Sequence, residues 1–284
     1  TYLTFDLVNR YLRASGKSVS FVENITDIDD PLLERATRDN QDWRELAESQ
    51  IELFREDMTS LGVLPPNAYR GVIESLDEII STVEEMIATG KSYILDGDIY
   101  LDLNQVDGAI ENLPLALDQA LKIFEERGGD PARVGKRHAL DPLLWKARKG
   151  DDPFWEAPFG QGRPGWHIEC TAIALKNLPN ASSTSITLQA GGSDLIFPHH
   201  YMTALQARVL TGVEFASCYS HAGMIGLDGE KMSKSKGNLV FVSKLRQEGV
   251  SPALIRIALF TDRYSTDRMW SRELLDDANK LLAR

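Results

Sequence analysis

Apolar residues fall at helical spacing at the start of the chain. Phe5, Leu7, Val8, Tyr11 and Leu12 form one face and Gly16 supplies a stop, which predicts a helix ending near Ser15. Residues 18–25 are β-rich and partly alternating, and predict a strand that runs into the acidic loop Thr26-Asp27-Ile28-Asp29-Asp30-Pro31. A polar loop at the carboxyl end of a strand is where open α/β sheets bind ligands. Residues 42–60 and 71–89 each carry an amphipathic helical period, and the breaker at 62–67 parts them. A short hairpin is expected over 93–101, about Asp96-Gly97. Residues 105–140 contain Gly128-Gly129-Asp130-Pro131 and show no period, so they read as insertion or linker rather than core.

The pattern resumes near residue 140. Gly162-Arg163-Pro164-Gly165 opens a helix over 166–176, residues 185–188 read as a strand running to Gly191-Gly192, and another helix is expected from Phe197-Pro198-His199-His200. A strand or loop over 219–226 precedes a Lys/Ser/Gly segment, after which residues 242–283 read as helical throughout. Composition adds that 43% of the 284 residues are hydrophobic, which excludes disorder and collagen-like repeats. No apolar run approaches the ~20 residues of a membrane span, so a cytoplasmic protein without a membrane partner is expected. The charge balance, 31 basic against 42 acidic residues for a net −11, argues weakly against a nucleic-acid partner. Two cysteines, Cys170 and Cys218, are too few for a disulfide scaffold. Cys218, with no ligand-type neighbours, is expected as a core thiol.

Two constellations carry chemistry. Lys231-Met232-Ser233-Lys234-Ser235, followed by Lys236-Gly237-Asn238, sets three lysines among small hydroxyl residues. Such a cationic loop suits a phosphate chain whose charge grows in a transition state, and on composition alone it reads equally as a solvated basic turn. The second joins Trp166-His167-Ile168-Glu169-Cys170 to the segment 191–200, with Cys170 and His199 lying 29 residues apart. Thiolate and imidazole are ligand types that zinc prefers, but two ligands do not make a site, and a buried thiol beside surface histidines is the plainer reading of the spacing. Asp27, Asp29 and Asp30 read first as capping and turn carboxylates.

Taken together, Asn24-Ile25-Thr26-Asp27-Ile28-Asp29-Asp30, Gly-Arg-Pro-Gly-Trp-His-Ile-Glu-Cys, Gly-Gly-Ser-Asp-Leu-Ile-Phe-Pro-His-His and the lysine loop resemble the family of cysteinyl-tRNA synthetase and its paralogue, the cysteine ligase of mycothiol synthesis. This is a branch of the class I aminoacyl-tRNA synthetases. The resemblance implies an α/β fold with a Rossmann-type nucleotide-binding core, a mostly helical insertion and a C-terminal helical domain. The borders expected from it are 1–58 and 140–225 for the two parts of the catalytic domain, 59–139 for the connective insertion, and 226–284 for the lysine loop and helical domain. It implies Zn2+ on Cys170 and His199, with a third ligand from a segment ahead of Thr1, and Mg2+ with ATP. It places Trp166, Thr26, Asp194 and Gln189 around the amino-acid substrate and Gly192, Lys231, Ser233 and Lys234 around ATP, with Lys231 and Lys234 catalytic.

Several positions depart from the synthetase pattern. Tyr201 and Thr203 stand where it has acidic residues, one of them a fourth zinc ligand, and Gln189 stands where it usually has histidine. Ala190 replaces a usual glycine. Ala190 departs from both branches, while the other departures resemble the ligase branch and imply ATP-dependent joining of L-cysteine to the amine of glucosaminyl-inositol, by a monomer or weak oligomer acting on small molecules. The alternatives are cysteinyl-tRNA synthetase and a non-catalytic cysteine or nucleotide sensor. Because the chain starts inside a helical pattern, a preceding segment with the first signature loop is expected.

Overall fold

The computed structural model describes residues 1–180, 183–232 and 238–283. Helix α1 (Tyr2–Ala14) leads to strand β1 (Val22–Ile25), helices α2 (Asp30–Asp39) and α3 (Trp43–Ser60), and strand β2 (Ala68–Gly71). β1 and β2 pair in parallel, Val22 against Ala68 through Ile25 against Gly71, and the two helices form the crossover that a parallel pair requires. Helix α4 (Leu76–Ala88) follows, then β3 (Ser92–Leu95), β4 (Asp98–Leu101), α5 (Leu117–Glu126), β5 (Leu143–Ala147) and β6 (Gly162–Pro164). Strands β3 to β6 form an antiparallel sheet in chain order, so β4 and β5, on either side of residue 139, are neighbours. Helix α6 (Trp166–Asn177), β7 (Ile186–Gly192), α7 (Tyr201–Thr211) and β8 (Ala216–Ala222) make a second parallel unit. The chain continues through β9 (Ile225–Leu227), β10 (Glu230–Lys231), α8 (Val242–Gln247), α9 (Pro252–Leu259), β11 (Arg268–Trp270) and α10 (Glu273–Leu282).

Three expectations need correction. Residues 105–140 are not a linker outside the core: Val106, Ala109, Ala120, Phe124 and Leu140 are buried in the largest apolar cluster, with Ile79, Trp145, Ile168 and Met202. Their segment is also clamped by buried polar contacts. The Asp141 carboxylate accepts from Tyr93 Oη (2.7 Å), Leu103 N (2.9 Å) and His138 N (2.8 Å), and Arg133 pairs with Asp98. Residues 242–283 are not helical throughout, because β11 interrupts them and pairs in parallel with β9. Cys218 is exposed on β8 rather than buried.

A separate apolar cluster joins Leu3 of α1 and Leu61, after α3, to Leu245, Ile255, Trp270 and Leu275. Two buried aspartates fix that junction. Asp6 accepts from Leu64 N (2.8 Å) and pairs with Arg10 (2.9 Å) and Arg256 (3.5 Å), while Asp57 accepts from Ser243 N (3.0 Å) and Arg246 (3.1 Å). β10 lies antiparallel to β9, so the start of the lysine-rich segment is anchored to the same small sheet as β11.

Candidate active site

A cavity of about 1170 Å3 opens between the two parallel units. Its walls include Asn24, Ile25 and Thr26 at the end of β1, Trp166 and Cys170 on α6, Gln189, Ala190 and Gly191 on β7, and His199 and His200. Thr26, Trp166, Cys170, Gln189 and His199 are thereby brought to one place. Gly192 ends β7 and Asp194 follows it, but neither is among the lining residues; Asp194 pairs with Arg127 at the end of α5 (3.4 Å). Gly192 is buried, and a Cβ there would come within 2.5 Å of Asp194 Oδ1. Ser233 and Lys234 lie outside the described residues, as does the side chain of Lys231.

The loop after β1 is held by its own carboxylates. Asp29 caps α2 by accepting from Leu32 N (2.7 Å), and Asp27 accepts from Val72 N (2.9 Å) and Ile73 N (3.3 Å), tying the loop to the turn after β2. Burial nonetheless raises the Asp27 carboxyl, against those bonds. Asp30 pairs with Arg163 and, at 3.2 Å, with Lys146, so it joins the loop to β5 and β6. Glu169, on the first turn of α6, is buried with Oε2 unpartnered. Its carboxyl is raised well above the usual range by burial and by Asp27, with Arg163 opposing.

Histidines make the polar floor. Trp166 stacks on the His199 ring at 4.4 Å and 24°, and His199 Nδ1 lies 3.0 Å from His167 Nδ1. His199 therefore sits over the first turn of α6, with Cys170 one turn along the same helix face. Burial, and then His167, pushes His199 well below the usual histidine range, and burial lowers His167 to about 3. Burial, and then Glu169, pushes the Cys170 thiol up. Both donors are thus neutral unless a cation arrives, and the Nδ1 contact leaves His199 Nε2 free of it. His200 Nε2 lies 3.0 Å from Gln189 Nε2, and His200 Nδ1 lies 2.8 Å from His221 Nε2. Gly191 permits this: a Cβ there would stand 2.6 Å from His200 Cε1. Thr203 is buried with its hydroxyl unpartnered, and Tyr201 donates to Ala109 O (2.8 Å).

The motifs Asn24 to Asp30, Gly162 to Cys170 and Gly191 to His200 share a common frame, and the chain matches the model of the tRNA synthetases class I (C) catalytic domain over residues 1–280. The chain belongs to that family. Among its relatives is the L-cysteine:1D-myo-inositol 2-amino-2-deoxy-alpha-D-glucopyranoside ligase of Gordonia bronchialis, 54% identical over 100% of this chain and 69% of the relative. The enzyme of the same name from Nocardia farcinica is 53% identical over the same shares. Mycobacterium tuberculosis methionyl-tRNA synthetase in complex with methionyl-adenylate resembles the fold with a TM-score of 0.73 at 16% identity, over 100% of this chain and 65% of that one. The fold is that of the class I synthetases, Rossmann-like and mixed α/β.

Sequence reasoning missed several members of this class I site. His167 was hidden because only packing brings it to His199, and His221 because only the β7–β8 register sets it opposite Gly191. Arg127 was hidden in a segment read as linker. The signals that could have found the first two were the His199-His200 pair and the adjacent glycines.

Proposed function

We propose that the chain catalyses ATP-dependent joining of L-cysteine to the amine of 1D-myo-inosityl 2-amino-2-deoxy-alpha-D-glucopyranoside through a cysteinyl-adenylate. The observation that carries this is the 53–54% identity, over the whole chain, to relatives bearing that ligase name. A cavity walled by Trp166, Cys170 and His199 supports it. In the first step a cysteine carboxylate oxygen attacks the α-phosphorus of MgATP, the bond to the bridging oxygen breaks, and pyrophosphate leaves. In the second the sugar amine attacks the acyl carbon, the acyl–phosphate C–O bond breaks, AMP leaves, and the amine gives up a proton. Lys231 and Lys234 neutralise the charge that grows on the phosphates, with Ser233 and the Gly192 backbone beside the nucleotide. Trp166 walls the amino acid, while Thr26, Asp194 and Gln189 supply its polar partners.

Cys170 and His199 fit as two ligands of a zinc ion, because a cysteine, which binds as thiolate, and an imidazole are donor types zinc prefers and both line one cavity. Among the described residues no cluster of three or more His, Cys, Asp or Glu is placed to hold a metal, so the reading requires a further ligand. When bound, zinc holds the substrate thiolate and so separates cysteine from serine. Thr203, buried, replaces the acidic residue of the synthetase pattern and so removes a carboxylate from the ligand set. No helix among the described residues is long and apolar enough to cross a membrane, and the proposed setting is the cytoplasm, with small-molecule partners and a monomer or weak oligomer. The test is cysteine-dependent AMP release with glucosaminyl-inositol as acceptor. Release only with cysteine tRNA would replace this reading with the synthetase, and cysteine or nucleotide binding without turnover would replace it with a sensor.

A further inference from the structure

Gln189 is in contact with His200, and His200 with His221, and neither histidine has a part in the proposed reaction. With the Gln189 amide turned this way its nitrogen donates, and His200 Nε2, at 3.0 Å, accepts. A neutral imidazole whose Nε2 accepts carries its hydrogen on Nδ1, and that hydrogen is donated to His221 Nε2 at 2.8 Å. The fold builds the chain deliberately. Gln189 and Gly191 share one face of β7, His221 pairs with Gly191 across the β7–β8 register, and the absent side chain at Gly191 gives His200 room to lie between them. His200 is 3% exposed, so neither of its nitrogens has water to turn to. With its nitrogen committed, Gln189 retains its carbonyl oxygen, which takes no hydrogen bond from any described residue, and Gln189 lines the cavity.

We propose that His221 is a positioning residue: acting through His200, it holds the Gln189 amide with its oxygen toward the cavity, as acceptor for the ammonium group of the amino-acid substrate. The inference rests on the reading of this chain as an amino-acid-activating ligase. A reversed amide would aim its NH2 at a cation and repel it, so the direction of the chain bears on amino-acid affinity and not on ATP. Removing one hydrogen bond to a charged group weakens binding by about tenfold to a hundredfold.

The experiment compares the wild type with His221→Phe and His221→Gln in the intact protein, the second keeping an acceptor where imidazole Nε2 lies. Two readouts are taken: cysteine-dependent ATP–pyrophosphate exchange with KM for cysteine and for ATP, and the His200 tautomer from 13C and 15N shifts of labelled histidine. The expected result is the Nδ1–H form of His200 in the wild type. His221→Phe should mix the tautomers and raise the cysteine KM at least tenfold while the ATP KM stays within twofold, and His221→Gln should restore both. An Nε2–H form of His200 in the wild type overturns the proposal, as does an unchanged cysteine KM in His221→Phe. If His221→Phe does not fold, the wild-type tautomer and His221→Gln still decide. A wild type with the Nδ1–H form and no cysteine-dependent exchange would instead sink the ligase reading.

Discussion

Replacing Gly191 with alanine tests how the site is packed. The new Cβ would stand 2.6 Å from His200 Cε1, 3.1 Å from His200 Nε2 and 3.0 Å from Leu195 Cδ1, whereas carbon contacts are comfortable at about 3.5–4.0 Å. The imidazole must therefore retreat by about 1 Å. Its bonds to Gln189 and His221, now 3.0 and 2.8 Å, would then lie beyond hydrogen-bonding reach. Each neutral bond contributes about 0.5–1.5 kcal/mol, and leaving a buried polar atom unpaired costs about 1–3 kcal/mol. Allowing for partial relaxation, Gly191→Ala should destabilise the fold by about 2–3 kcal/mol. It should also lower kcat/KM for cysteine by about a hundredfold, as a 1 Å misplacement of a positioning group does. Urea unfolding and pyrophosphate exchange read the two quantities. A variant within about 0.5 kcal/mol and twofold of the wild type would refute the packing argument.

Lys234→Ala should cut adenylate formation strongly, by at least about a hundredfold, and leave zinc content unchanged; unaltered pyrophosphate exchange would remove the lysine loop from the chemistry. Cys170→Ala should abolish stoichiometric zinc in the purified protein, read by elemental analysis, and full zinc content would move the ligand role elsewhere. Glu23 on β1 is half-buried, and burial raises its carboxyl to about 7 from a usual value of 4.5. Its folded form holds the proton longer than the unfolded form, so this contribution is complete below pH 4.5 and is lost as pH rises through about 7. Because the group is partly solvated, Glu23→Gln should recover only about 1–2 kcal/mol at pH 8 and nothing at pH 4, measured by urea unfolding. A thiol reagent should titrate the exposed Cys218 quickly and the buried Cys170 only on unfolding; two fast thiols would contradict the burial of Cys170.

Where the apolar period was long, the fold was legible. α3 and α6 have nearly the expected bounds, and the β3–β4 hairpin turns at Asp96-Gly97, both at positive φ. β2 and β11 were not legible, because four and three residues are too few for an alternation, and their pairing with β1 and β9 is decided far away in the chain. Phe124 and Leu140 looked peripheral because the residues that bury them come from other elements, not from a local period. At the site, spacing alone offered Cys170 and His199 as a weak pair, and the resemblance of four motifs supplied the rest. The carboxylate roles of Asp27 and Asp29 were readable from turn chemistry. His167 and His221 depend on packing and on strand register, which no local pattern encodes.

The central claim is that this chain activates cysteine for transfer to an amine. The most direct measurement is cysteine-dependent AMP release by the intact protein, with glucosaminyl-inositol and cysteine tRNA offered separately as acceptors. The account predicts release with the aminosugar and none above background with tRNA; release with tRNA alone, or with neither, would contradict it.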